Sequence, residues 1–289
     1  MKPKYIYINV SCDWEGRNLN SINLNKMSKF NQEFPDIPIL HYMNPAYYTK
    51  GIKEPNSKIK KVIKKNDTIG LHIHCWKSLI KKCGVKVRLN PTWSYDGDCD
   101  GYGVPLTSYN KEELNKIIKN SLKILVDNGF SNIDCFRAGG WFANDSVFEA
   151  LLNNNIKLDS SHVDLSLIEY YHTRVSGMLE KIWEDIEYDT QVYKKQINDD
   201  YIIEYPNNGC FCDYHDKDEM IKIVKDNIEL WENSDKDIFI SLGFHQESAV
   251  DYLDRLIETI KEIKTNDYFK KYPIVFIGNP LSVIDYSSL

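Results

Sequence analysis

Short β-rich apolar runs alternate with longer amphipathic stretches along the 289-residue chain, and this alternation limits its fold more than any composition value. The predicted strands are Tyr5–Cys12, Ile37–Tyr42, Thr68–Cys75, Ile133–Phe136, Tyr201–Tyr205, Ile238–Phe244 and Ile274–Ile277. The predicted helices are Asn56–Lys65, Lys111–Asn128, Asn144–Asn153, Lys217–Glu232 and Ala249–Lys264. In Lys111–Asn128, Leu114, Ile117, Ile118, Leu122 and Leu125 recur at the helical period and fall on one broad face. Strands that alternate with helices imply a parallel sheet or a barrel. No Pro/Gly/Ser-rich linker, repeat or low-complexity tract interrupts the pattern, so one domain over residues 1–289 is expected. The longest irregular stretch, about Arg88–Tyr109, is rich in Gly, Pro and Asp and reads as a long loop of the functional kind. Ser160–Asp200 fits neither period and is expected to leave the sheet on an excursion.

Composition removes some classes of function. The chain has 36 Lys+Arg against 42 Asp+Glu, a formal charge of −6, which argues against general nucleic-acid binding. No stretch approaches the ~20 apolar residues that cross a bilayer. The first apolar run, Tyr5–Val10, meets Asp13 almost at once and lacks the shape of a signal peptide. It reads as a buried first strand of a cytoplasmic protein. The seven cysteines are odd in number, form no CxxC pair and are expected to be reduced thiols.

Four motifs fall at predicted strand ends. Ser11-Cys12-Asp13-Trp14-Glu15-Gly16 ends the first strand, and residues two apart in extended chain share a side, so Asp13 and Glu15 converge. They form either an acidic loop facing water or a pair bridged by a cation or proton. Gly70-Leu71-His72-Ile73-His74-Cys75-Trp76 places His72 and His74 on one face, as a metal pair or as one packed and one exposed imidazole. Cys135-Phe136-Arg137-Ala138-Gly139-Gly140-Trp141 sets Arg137 at a strand-to-helix turn, where it could orient a carboxylate. Ser241-Leu242-Gly243-Phe244-His245-Gln246-Glu247 ends another strand on a histidine, which can exchange a proton near neutral pH.

In that chain order the motifs resemble those of the polysaccharide deacetylase family, also called carbohydrate esterase family 4 or the NodB-homology fold. The resemblance runs from the first strand through His245. It implies an α/β fold, a distorted (β/α)7 TIM-like barrel in a single domain. It also implies removal of an acetyl group with the help of one divalent ion, zinc first, with cobalt, nickel or manganese as alternatives. Carried over by position, Asp13 matches the base that activates water, His72 the first histidine ligand, Arg137 the arginine that orients the base, and His245 the general acid. The chain departs from the pattern in places. Trp14 stands where the family commonly has its second aspartate, so Glu15 is the candidate ligand. Trp76 stands where the second histidine usually lies, so His74 takes that part, and the usual proline of the arginine motif is missing.

Trp93, Tyr95 and Tyr102 of the long loop, with Trp141, could wall a sugar site, since aromatic rings offer flat apolar faces to sugar C–H groups. The expected partner is a small-molecule or glycan substrate, an N-acetylated sugar or sugar-containing intermediate of glycan biosynthesis. The alternatives are an amidase acting on a non-sugar C–N bond and a non-catalytic carbohydrate- or partner-binding member of the same fold. Cys210, Cys212, Asp213, Tyr214 and His215 form a second polar cluster that could hold another metal, and Lys58–Lys65 reads as a solvated helix face. Cys12, Cys75 and Cys135 lie beside the motifs and could line the pocket.

Overall fold

The computed structural model describes residues 3–286 and 289. The strands are β1 (Ile6–Asp13), β2 (Ile39–Met43), β3 (Thr68–Ile73), β4 (Cys135–Ala138), β5 (Leu158–Asp159), β6 (Tyr193–Ile197), β7 (Asp200–Glu204), β8 (Ile238–His245) and β9 (Ile274–Ile277). The α-helices are α1 (Ser21–Glu33), α2 (Pro55–Ile59), α3 (Lys77–Lys82), α4 (Lys111–Asp127), α5 (Asp145–Leu152), α6 (Leu165–Leu179), α7 (Lys217–Glu232) and α8 (Ala249–Thr265).

One sheet carries all nine strands, and its path runs β6-β7-β5-β4-β3-β2-β1-β8, with β9 beside the first half of β1. From β7 through to β8 the neighbours are parallel, as crossovers through helices require. The ring closes through irregular chain. Cys210–Cys212 lies along β8, where Gly243 N donates to the Cys210 carbonyl at 2.9 Å and Cys212 N donates to the Gly243 carbonyl at 2.9 Å. The result is the distorted (β/α)7 barrel that the resemblance implies, one of the two architectures that the alternation allows.

Local chemistry explains where the elements begin. Asn110 and Glu113 form a reciprocal capping box at the start of α4, and Asp216 and Glu219 do the same for α7. Each such cap contributes about 1 kcal/mol. Leu114, Ile117, Ile118 and Leu125 are buried along α4, the face predicted from their spacing. In β1, Ile6, Ile8, Val10 and Cys12 join the core between sheet and helices. The alternate residues face the barrel interior, where Leu40, Tyr42, Cys135, Leu158, Ile203 and Tyr205 form a second apolar cluster.

Some sequence expectations need correction. The Lys58–Lys65 run is not one helix. α2 ends at Ile59, and the Asp67 carboxylate takes Lys64 N at 2.7 Å and Ile39 N at 2.9 Å, turning the chain into β3 beside β2. α1 carries no clear periodic signal, because its apolar core contacts, Leu24, Met27 and Phe30, lie within a polar segment. The Ser160–Asp200 excursion contains α6 and the antiparallel edge strand β6. Arg88–Tyr109 contains no strand or α-helix, as its composition implies. Among the described residues no helix is long and apolar enough to cross a membrane, and all seven cysteines are free thiols.

Candidate active site

Strand register brings the motifs to one end of the barrel. Asp13 pairs with His245 across β1 and β8, and His72 pairs with Arg137 across β3 and β4. Parallel strands in register put these ends side by side, at the face where barrels build their sites.

Glu15, His72 and His74 converge there, and all three are buried. His72 Nδ1 lies 2.8 Å from the Arg137 carbonyl and His74 Nδ1 lies 3.1 Å from the Tyr102 carbonyl. A carbonyl can only accept, so both Nδ1 atoms carry protons, and in the neutral rings the Nε2 lone pairs remain. Those lone pairs face the Glu15 carboxylate. His72 Nε2 is 3.5 Å from Oε1 and His74 Nε2 is 2.8 Å from Oε2. Both Nε2 atoms are buried without a hydrogen-bond partner. Acceptors facing acceptors in a buried site call for a cation or a proton between them.

The residues therefore fit a divalent ion: one carboxylate oxygen and two imidazole nitrogens within 4.8 Å of one another, each ring fixed from behind by a carbonyl. Imidazole with carboxylate suits zinc and also cobalt, nickel or manganese. Burial alone would raise the Glu15 carboxyl, but when protons rather than a metal ion fill the cluster, the protonated His74 and His72 outweigh it and hold Glu15 well below the usual carboxylate range. The close fit of the rings depends on Gly139, where an added Cβ would lie 2.7 Å from the His74 ring.

The two tryptophans at the departures from the family pattern have structural positions. Trp14 points outward into the core, fully buried, with its indole N–H 3.1 Å from His41 Nδ1. Trp76 donates its indole N–H to the Glu15 carbonyl at 2.8 Å. The turn at Glu15–Gly16 needs a glycine, because Gly16 has φ +77° and its Cβ position is crowded by Trp76 and Asn44. Glu247, quoted in the sequence without a role, accepts Glu15 N and Arg17 N at 3.2 Å each. Burial and the nearby Glu15 raise the Glu247 carboxyl to about 7.

Arg137 is completely buried and every part of its fork is used. Nη1 donates to Asp13 Oδ1 at 2.8 Å and Ser11 Oγ at 3.0 Å, Nε to the Ser160 carbonyl at 2.9 Å, and Nη2 to Ser160 Oγ at 2.9 Å. The guanidinium also lies over the Tyr42 ring, 4.2 Å from its centroid. Such a fork fixes one carboxylate oxygen of Asp13 and leaves the other free to act.

His245 faces this group from β8. Its Nδ1 is 3.2 Å from Asp213 Oδ1, and its Nε2 is 3.8 Å from Glu15 Oε1. Burial lowers the affinity of His245 for a proton, but Asp213, then Glu15 and Asp13, raise its pKa to about 10. Ser248 donates to the same Asp213 oxygen. By spacing alone Asp213 belongs to a separate cluster with Cys210, Cys212, Tyr214 and His215. That cluster is not a second metal site among the described residues, because no such group converges there. The lateral contact of Cys210–Cys212 with β8 carries Asp213 to His245, and no sequence spacing signals that crossing.

The site opens into a cavity of about 630 Å³. Trp93, Tyr95, Tyr102 and Trp141 all line it. The Tyr102 ring stacks on His74 at 4.1 Å between centroids, and its hydroxyl donates to Glu15 Oε2. Cys12, Cys75 and Cys135 do not line the cavity. They are fully buried, and burial raises all three thiols.

No family model matches the sequence, and no curated protein matches it. Solved structures do. A Mycobacterium smegmatis protein with a provisional polysaccharide-deacetylase name matches with TM-score 0.56 and 12% identity, over 95% of this chain and 87% of that one. An allantoinase matches with TM-score 0.55 and 10% identity, over 96% and 88% of the two chains. A 4-α-glucanotransferase from Thermococcus litoralis matches at 0.51 with 14% identity, over 98% of this chain but 41% of that one. At such identities the likeness concerns architecture. The chain has the NodB-like barrel fold found in polysaccharide deacetylases, in a strongly divergent sequence.

Proposed function

We propose that this protein is a metal-dependent hydrolase that removes the acetyl group from an N-acetylated sugar or sugar-containing intermediate of glycan biosynthesis. The observation that carries the reading is the convergence of a buried carboxylate–bis-imidazole cluster with an arginine-held aspartate and an aspartate-held histidine. A divalent ion held by Glu15, His72 and His74 would polarise the acyl carbonyl and acidify a water.

The chain's own residues supply the remaining steps. Asp13, fixed by Arg137, accepts the proton of the attacking water at its free oxygen. Asp213 facing Nδ1 favours the protonated form of His245, whose Nε2 lies 3.8 Å from Glu15 Oε1. It donates a proton to the departing nitrogen as the C–N bond breaks, so acetate and a free amine result. Trp93 and Trp141 offer aromatic surface to the sugar and help exclude water from the reacting bond, while Tyr102, whose ring is stacked between His74 and Arg17, meets the ligand at its edge.

Zinc-loaded protein should release acetate from an N-acetylated sugar, and Asp13→Asn should slow it by ~10²–10⁴-fold. Full activity in that variant would remove Asp13 from the mechanism. The allantoinase likeness is as close as the deacetylase one, which favours an amidase on a non-sugar C–N bond as the second reading. Turnover of ureides or cyclic amides with no acetate release from any sugar would select it.

A further inference from the structure

The cavity carries two guanidinium groups that the proposed reaction does not use. Arg17 and Arg174 both line it. Neither forms an ion pair with a carboxylate among the described residues, whereas Arg88 and Arg137 do. Each is held by a ring or a carbonyl. The Arg17 guanidinium lies 4.0 Å from the Tyr102 ring centroid. Arg174 donates Nη1 to the Ser94 carbonyl at 2.9 Å and lies 5.6 Å from the Tyr95 ring centroid. A guanidinium lying over a ring, as Arg17 does, keeps its in-plane N–H groups for a further acceptor, and Arg174 retains those that Ser94 does not take.

The backbone of α6 is broken beside this arrangement. His172 has φ −146° and ψ 67° inside the helix. In an unbroken helix residues two apart point to different sides. Here His172 and Arg174 both line the cavity. The neighbouring acids are already engaged: Asp13 pairs with Arg137, Glu15 faces His72 and His74, and Glu247 accepts backbone N–H groups. Asp96 also lines the rim, and it too leaves both guanidinium groups unpaired.

We infer that Arg17 and Arg174 form an anion subsite, and that the ligand of this cavity is an acidic sugar bearing a carboxylate or a phosphate. Calling that ligand a substrate rests on the hydrolase reading, but the subsite does not.

The test is equilibrium binding followed by the fluorescence of Trp93 and Trp141, with and without zinc. The probes are an N-acetylhexosaminuronate, an N-acetylhexosamine 1-phosphate and neutral N-acetylhexosamine. At low salt one or both acidic probes should bind about 10- to 100-fold more tightly than the neutral one, the range of a charge-assisted contact. The tighter of the two identifies the anion. Arg174→Ala and Arg17→Ala should each reduce that ratio about ten-fold, Arg174→Lys should restore part of it, and salt should weaken it. Equal binding of acidic and neutral probes by the unaltered protein overturns the subsite, as does an unchanged ratio in both alanine variants. Acetate release is read in parallel. Charge-selective binding without acetate release keeps the subsite and removes the deacetylase. Acetate release without charge selectivity does the reverse.

Discussion

Replacing Arg137 by Met tests how the barrel tolerates a buried carboxylate at its centre. Arg137 Nη1 lies 2.8 Å from Asp13 Oδ1, and both side chains are almost completely buried. With an effective dielectric constant of about 20, attraction at that distance is about 6 kcal/mol before desolvation is subtracted. Removing one partner of such a pair typically costs about 3–5 kcal/mol, because the other charge stays buried without compensation. Asp13→Asn alone should also destabilise, since Arg137 then loses its counter-charge. In the double variant neither penalty applies in full. Urea unfolding of the four proteins, with metal removed by a chelator, should give a coupling of about 1.5–3 kcal/mol. Chelation matters because a divalent ion beside Asp13 would supply part of the missing positive charge. If the two losses simply add, the pair is not what holds Arg137 in place, and the Ser160 and Tyr42 contacts must suffice.

Other consequences are open to direct measurement. Zinc should raise the thermal midpoint of the chelated protein, by about 2.7 kcal/mol of stabilisation at 100 times its dissociation constant, and His72→Ala or Glu15→Gln should abolish the rise. His245, raised to about 10 in the folded chain, contributes stability that is present below its ordinary value of 6.5 and lost as pH climbs through about 10. Asp213→Asn should flatten that fall in metal-free protein, and an unchanged slope would remove the Asp213 contact as its cause. Asp159 and Glu204 face each other from β5 and β7, where burial raises Asp159 to about 6 and raises Glu204 well above the usual range. Acids raised in this way make the protein lose stability as pH rises from about 4 toward the folded values. Glu204→Gln should therefore lessen the difference in urea midpoint between pH 4.5 and pH 8, and an undiminished difference would show that the pair does not share a proton.

The motifs were legible because each lies within one strand or one turn. The i, i+2 spacing of Asp13 with Glu15, and of His72 with His74, puts both members of each pair on one side of extended chain. That geometry is local, so it survives without knowledge of the neighbours. The same local logic located α4, α7 and α8, whose apolar faces repeat every turn. It failed for α1, which buries little, and for the two-residue strand β5, which is too short to carry a period.

The sequence by itself limited the fold to a parallel sheet or a barrel, with the resemblance implying the barrel, and it placed an acidic pair, two imidazoles, an arginine and a final histidine at strand ends. Only the tertiary structure decided that Asp213 holds His245, that Glu247 and Trp76 hold the Glu15 turn, and that Arg17 and Arg174 meet at one cavity. The reason is physical. Periodicity along a strand reports which side a residue faces, whereas a contact between segments tens to hundreds of residues apart depends on register and closure. Here closure comes from irregular chain at Cys210–Cys212, hydrogen-bonded to β8 with no repeating pattern to announce it.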